Sequence, residues 1–407
     1  MKKVYQEEYE LPFTPLTVIH EASRCLLCYD APCSKACPAQ TNPAKFIRSV
    51  RFRNFKGAAE TVRENNALGS ICARVCPTEK LCQQGCSRSG IDRPIEIGKI
   101  QRYVTDFEDA CGMKVLKKGA KNLGKVAIIG SGPAGLQAAA TLTQIGYDVT
   151  VFEKNKKCGG WLRYGIPEYR LPSDILDKEI ARIENTGVKF VTGKEIKDLQ
   201  PLKNEYRAIL LAVGASYGRN LPLFENNKNV ELAVDVLAKI KDKKGKISVP
   251  QNVLIVGGGD VAMDVATSLK LIGSKSVTVV AREQAFEFPA SKKELNDARD
   301  CDVSVIDGYT PVAVDGNTVT FKHVALDASL TIKADKIILA IGQIANLESF
   351  NQIKAEKGIV HTVNYQTDDK QIFAAGDIVN GDKLVVSAVR YGKEAAHAIH
   401  EYLGGNK

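Results

Sequence analysis

Between residues 125 and 154 the spacing of apolar positions changes period twice. KVAIIG is a short continuous apolar run, and the alanine- and leucine-rich stretch after the glycines of GSGPAG has helical spacing. YDVTVFEK then returns to a strand pattern. The segment QNVLIVGGGDVAMDVATSLKLIGSKSVTVVARE (251–283) repeats the same plan. Strands alternating with helices predict parallel sheets built from βαβ units, and two such units predict two dinucleotide-binding domains. ADKIILAIGQ (334–343) and IFAAGDIVNG (372–381) read as a return to the first sheet, so the second unit is expected to be inserted into the first.

The first 115 residues have a different character. They hold few strand-like runs, and PAKFIRSVRFRNFKGAAETVREN (43–65) places apolar residues at three- and four-residue spacing, which predicts helix. KKGAKNLGK (117–125) is polar and glycine-bearing and reads as a linker. The expected fold is therefore α/β. A helical domain over 1–115 precedes two Rossmann-like domains, one over 120–245 and 338–407, the other over 246–337.

The glycines sharpen the reading. Gly130, Gly132 and Gly135 give G-x-G-x-x-G, with Pro133 and Ala134 opening the helix. The first glycine permits the turn, the second lets the backbone approach a pyrophosphate, and the third lets helix and strand pack closely. The phosphate then sits at a helix N-terminus, where unpaired N–H groups favour negative charge. Glu153 ends the following strand, in position to accept from ribose hydroxyls. In the second unit Gly257 and Gly259 are followed by Asp260, Val261 and then Ala262 in the third slot, an accepted variant. Its second strand ends Ala281-Arg282-Glu283. A carboxylate there repels a 2′-phosphate and accepts from a free hydroxyl, so Glu283 favours NAD(H), while Arg282 points toward NADP(H).

Cysteine usage changes the picture further. Of 11 cysteines, Cys25, Cys28, Cys33, Cys37, Cys72, Cys76, Cys82 and Cys86 lie in the first 90 residues, and Cys111, Cys158 and Cys301 are isolated. No apolar run reaches the roughly 18 residues a membrane span needs, and MKKVYQEEYE lacks the core of a signal peptide. A cytoplasmic location is expected, where thiols stay reduced and clustered cysteines hold metal. C-x2-C-x4-C-x3-C-P followed by C-x3-C-P-x4-C-x3-C is the arithmetic of two [4Fe-4S] clusters. Zinc is the rival, but structural zinc sites pair C-x2-C knuckles, and one such spacing occurs among the eight. The net charge of +9 is scattered without basic runs, which argues against nucleic acid as a partner.

GSGPAG, FEK, GGWLRYGIPEYRLP (159–172) and AAGDIV (374–379) resemble the flavin-binding core of the glutamate synthase small-subunit and dihydropyrimidine dehydrogenase family. The resemblance implies FAD in the first unit, with Glu153 on its ribose, Gly160 and Arg170 along the flavin, and Gly376-Asp377 near the ribityl and phosphate groups. CLLCYDAPCSKACPAQ together with NFKGAAETVRENNALGSICARVCPTEKLCQQGC (54–86) resembles the N-terminal domain of dihydropyrimidine dehydrogenases. By that likeness Cys25, Cys28, Cys33 and Cys86 hold one cluster. Cys37, Cys76 and Cys82 hold the other with Gln101 as fourth ligand, which leaves Cys72 spare, although spacing alone would choose Cys72. A nicotinamide delivers an electron pair, a cluster carries one electron, and flavin converts between the two. The resemblance therefore implies an electron-input subunit. The pyrimidine-reducing barrel of about 250 residues has no room in this chain, so an FMN-bearing catalytic partner and a heterotetramer are expected, interconverting uracil or thymine with the 5,6-dihydro forms. The glutamate synthase small subunit is the nearest alternative. A stand-alone disulfide reductase would need paired redox cysteines, which the solitary Cys158 and Cys301 do not supply.

Overall fold

A computed structural model describes residues 3–379 and 382–405 and divides into two compact units. The larger comprises Glu10–Leu162, Ser173–Ala215 and Ala345–Lys407, and so holds both the cysteine segment and the first glycine turn.

Its N-terminal part is helical because the sequence supplies both the caps and the apolar faces. Thr14 and Thr17 form a capping box before the helix Pro15–Ser23, and Asn42 caps Pro43–Arg51, with proline at the first helical position in each. The stretch 43–65, which reads as continuously helical, is two helices. Arg53 takes a positive φ of 61° and the Asn54 side chain accepts from the Gly57 N–H, starting a new helix Phe55–Asn65. Folding the chain back at this point lets Phe46, Ile47 and Val50 pack with Ala58, Ala59 and Val62. Val18 and Ala22 join them, as do Ile97, Ile100 and Val104 from the helix side that includes Ile97–Ala110.

The rest of this unit is built on a five-stranded parallel sheet. Its order is Ile372–Ala374, Ala208–Leu211, Lys125–Ile129, Asp148–Glu153, Lys189–Thr192. Strands buried on both faces need the unbroken apolar runs seen in the sequence. The C-terminal helix Val385–Tyr402 lies along Pro133–Ile145, and Gly392 makes that approach possible: a Cβ there would meet the Ala134 carbonyl oxygen at 2.2 Å. Charge also holds this unit together. Arg63, on Phe55–Asn65, bonds Glu108 at 2.7 and 2.9 Å and Glu179, on the helix Ser173–Glu184, at 2.7 and 2.8 Å. Arg182 pairs with Glu108, Glu179 and Asp109.

The second unit comprises Met1–Tyr9, Arg163–Pro172 and Ser216–Ile344. Its parallel sheet runs Val230–Leu232, Lys336–Leu339, Asn252–Val256, Ser276–Val280, Ser304–Ile306, with an antiparallel meander from Tyr309 to Lys333. One expectation is corrected here. ADKIILAIGQ does not return to the first sheet; Ile337 pairs with Leu254 and Val230, so the strand lies between two strands of the second sheet. Only the 372–381 segment goes back, Phe373 pairing with Leu210, and its last two residues lie outside the described ones. A short apolar strand carries no mark of which parallel sheet it joins; its neighbours decide. No helix among the described residues is long and apolar enough to cross a membrane.

Candidate functional site

The two glycine turns occupy equivalent places in their sheets, each following the strand that starts its βαβ unit. Gly130 has φ of 103° and a Cβ on it would meet the Ala212 carbonyl oxygen at 2.4 Å, while one on Gly135 would meet the Gly130 oxygen at 2.0 Å. A Cβ on Gly132, in contrast, meets nothing within 4 Å. The three glycines thus divide the work as the motif requires: two are closed against backbone and the middle one faces open space where a phosphate can approach. Pro133 and Ala134 begin the helix behind that space.

Around it the larger unit gathers the other residues assigned to FAD. Glu153 is buried at the end of its strand. One of its oxygens accepts from the Ser131 hydroxyl at 2.6 Å and the other from the Asn155 N–H at 2.8 Å, so the carboxylate is fixed beside the turn. Gly160, at φ of 52°, comes so close that a Cβ would lie 2.8 Å from the Gly132 Cα. Gly376, at φ of 82°, abuts Ala134, where a Cβ would touch the alanine methyl at 3.0 Å. Asp377 follows it, its carboxyl raised by burial and drawn back by Lys383. These residues form a cradle that fits a dinucleotide, with an acid for hydroxyls and a bare helix N-terminus for phosphates.

Arg170, expected along the flavin, has two acidic partners of its own. It belongs to the second unit, where its guanidinium is buried and bonded to Asp264 at 2.6 and 2.8 Å and to Glu294 at 2.9 Å. The two carboxylates engage only the terminal nitrogens, and the buried Arg170 Nε has no hydrogen-bond partner among the described residues. Neither Asp264 nor Glu294 carried a sequence signal, since both lie on helices remote in sequence from 170.

The second turn follows the same plan. A Cβ on Gly257 would meet the Ala340 oxygen at 2.3 Å, and one on Gly259 meets nothing within 4 Å. Asp260 begins the helix and accepts from the Ser291 N–H at 2.6 Å, with Val261 beside it half-buried. Glu283 is half-buried and its Oε2 lies 3.3 Å from where a Gly258 Cβ would stand, whereas Arg282 is exposed. The carboxylate that favours a free ribose hydroxyl is therefore the group next to the turn.

The resemblance divides the cysteines into two interleaved sets. Burial raises the Cys25 and Cys33 thiols, Cys33 to about 11, and both also feel charge on Cys86. Cys25 feels Cys28 as well, and Cys28 lies 3.5 Å from the Ser87 hydroxyl, next to Cys86. In the other set Cys72 and then burial raise Cys76, burial and Cys72 raise Cys37, and burial with Cys37 and Cys33 raises Cys82 to about 12. Backbone groups of Leu27, Ser34, Ala39, Thr41 and Gln83 act against the rise. Soft thiol donors clustered in this way fit iron–sulfur ligation.

Cys72, left spare by resemblance, is buried and is the first cause that raises the Cys76 thiol. Gln101 is equally buried on the neighbouring helix and its Nε2 donates to the Gly69 carbonyl at 2.7 Å. Among the described residues it makes no hydrogen bond to a thiol.

Residues 124–392 match the pyridine nucleotide-disulphide oxidoreductase family model, and residues 2–113 match dihydropyrimidine dehydrogenase domain II, 4Fe-4S cluster. The NAD-dependent dihydropyrimidine dehydrogenase subunit PreT of Escherichia coli is 62% identical over 98% of this chain and 98% of its own length. The chain belongs to this family of dehydrogenase subunits. The glutamate synthase [NADPH] small chain of Halomonas elongata is similar at 32% identity, over 98% and 94% of the two chains. Among solved structures, FprA of Mycobacterium tuberculosis in complex with NADPH superposes with a TM-score of 0.60 over 69% of this chain and 84% of its own, at 15% identity, which is a likeness of fold. Like the rest of its family the chain is an NAD-dependent oxidoreductase, a flavoprotein with an N-terminal 4Fe-4S domain.

The site holds one lysine that the sequence reading passed over. Lys393 follows Val386 and Val389 at helical spacing, on the apolar face of the C-terminal helix, which was a legible sign of a buried cation.

Proposed function

We propose that the chain is the electron-input subunit of a dihydropyrimidine dehydrogenase in the cytoplasm. It takes electrons from NADH at the second glycine turn and delivers them through FAD and two [4Fe-4S] clusters to an FMN-bearing partner, in a heterotetramer. That partner interconverts uracil or thymine with 5,6-dihydrouracil or 5,6-dihydrothymine. The bound flavin supplies the step from electron pairs to single electrons. The chain's own work is to hold the flavin and the clusters in one rigid body. One observation carries this reading: the helix that packs against the first glycine turn sends Lys393 to the Ala39 carbonyl at 2.9 Å, two residues from Cys37. Leu26 and Tyr29, on either side of Cys28, are exposed, which suits a surface that meets a partner.

Co-purification with endogenous partners followed by a uracil-dependent NADH oxidation assay tests the reading. Activity is expected only when the partner is present; uracil reduction by the isolated chain would overturn it.

For the clusters, Cys25, Cys28, Cys33 and Cys86 serve one, and Cys37, Cys76, Cys82 and Gln101 serve the other. The Gly69 carbonyl engages only the nitrogen end of the Gln101 amide. Gln101→Ala is expected to lose or alter one of two cluster EPR signals, while Cys72→Ser keeps both at full iron content. The reverse pattern would make Cys72 the ligand.

A further inference from the structure

Lys393 is nine-tenths buried and donates to three acceptors: the Ala39 carbonyl at 2.9 Å, the Asn65 Oδ1 at 3.0 Å and the Gln40 Oε1 at 3.3 Å. An ammonium has three donors, so the three acceptors match the charged form. All three are neutral. Among the described residues no carboxylate pairs with Lys393. The nearest acid in its electrostatic surroundings, Glu394, is held by Arg390 at 2.8 Å and by the Tyr365 hydroxyl. The next group whose charge acts on Lys393 is Cys37, which is a thiolate when it ligates a cluster. A buried cation without an anionic partner is costly, and such groups are found paired. Here the charge left to pair it is the one gathered at Cys37.

We propose that Lys393 is a positioning residue for electron transfer, a fixed cation that raises the reduction potential of the cluster held by Cys37. This rests on the reading of Cys37 as a cluster ligand. When that cluster accepts one electron from flavin that NADH has reduced, no bond forms or breaks, and one negative charge is added beside the ammonium. Net charge near a cluster is among the terms that set its potential. The reduced state is favoured, and electrons from the flavin are drawn to this cluster, whose polypeptide the flavin-side helix grips. No backbone hydrogen bond to the cluster is needed for the effect, because it is carried by charge across a dry interior.

The test is a redox titration of the full chain, loaded with FAD and both clusters and followed by EPR, with iron and sulfide measured on every variant. Lys393→Met is expected to shift one cluster's reduction equilibrium about tenfold toward the oxidised form, or about 59 mV for one electron, and to leave the other cluster in place. Lys393→Arg keeps the charge and is expected to restore the parent value to within about threefold. Asn65→Asp leaves the lysine present but places a carboxylate against it. It is expected to shift the same cluster in the same direction, and it decides the matter should Lys393→Met lose iron. Unchanged potentials in iron-replete Lys393→Met, or in Asn65→Asp where the methionine variant is not iron-replete, would overturn the proposal. A parent protein without iron or sulfide would instead remove the cluster reading beneath it.

Discussion

Arg63→Ala is expected to lower the stability of the larger unit by about 3–5 kcal/mol, the cost of leaving buried carboxylates without their partner. The Arg63 side chain is 1% exposed and those of Glu108 and Glu179 are 0% and 1% exposed, so water does not replace the lost guanidinium. Arg63 also donates to the Ala67 carbonyl at 2.7 Å, which the variant leaves open. Arg182 stays and offsets part of the charge, but it already serves Asp109 as well. For a unit of this size the loss corresponds to a drop on the order of 10 °C in thermal midpoint. Removing the three charges together, as Arg63→Met with Glu108→Met and Glu179→Met, is expected to recover much of the loss, because an apolar set needs no desolvation. A midpoint within 2–3 °C of the parent for Arg63→Ala, about the shift of 1 kcal/mol, would show that the network contributes little. Since Glu108 lies in the cysteine segment and Glu179 beyond the first βαβ unit, the network ties the two parts of this unit together.

Gly132→Ala and Gly135→Ala are expected to fail in opposite ways. At Gly132 φ is −69° and a Cβ meets nothing within 4 Å, so the fold accepts alanine without strain. The methyl then occupies the space a pyrophosphate needs, and FAD content is expected to fall while iron content and the midpoint of flavin-free protein hold. At Gly135 a Cβ would lie 2.0 Å from the Gly130 carbonyl oxygen, a backbone atom that no rotamer change can move. Helix and strand must separate, so this variant is expected to lose stability even without flavin. Flavin absorbance and thermal melts of flavin-free protein distinguish the two. Equal loss of stability in both would contradict the division of roles among the glycines.

The sequence alone determined the features that depend on neighbours within one turn or one strand. Both glycine turns, the acids Glu153 and Glu283 at their strand ends and the helical character of the cysteine segment follow from local spacing, and the structure has them in place. The break at Arg53-Asn54 was also local, since an Asn able to cap stands at position 54, but a period count over 43–65 passes across it.

Tertiary structure decided what depends on contact between distant segments. The strand Lys336–Leu339 is apolar enough for either sheet, and its register with Leu254 and Val230 assigned it. Asp264 and Glu294 reach Arg170 from helices remote in sequence, so no local pattern announced them. The surroundings of each thiol are likewise beyond spacing, because Cys86 acts on Cys25 and Cys33 while Cys82 feels both Cys37 and Cys33. The reason is common to all three. Periodicity reports which face of an element is buried, whereas the partner of a buried charge, thiol or strand is chosen by where the whole chain brings it.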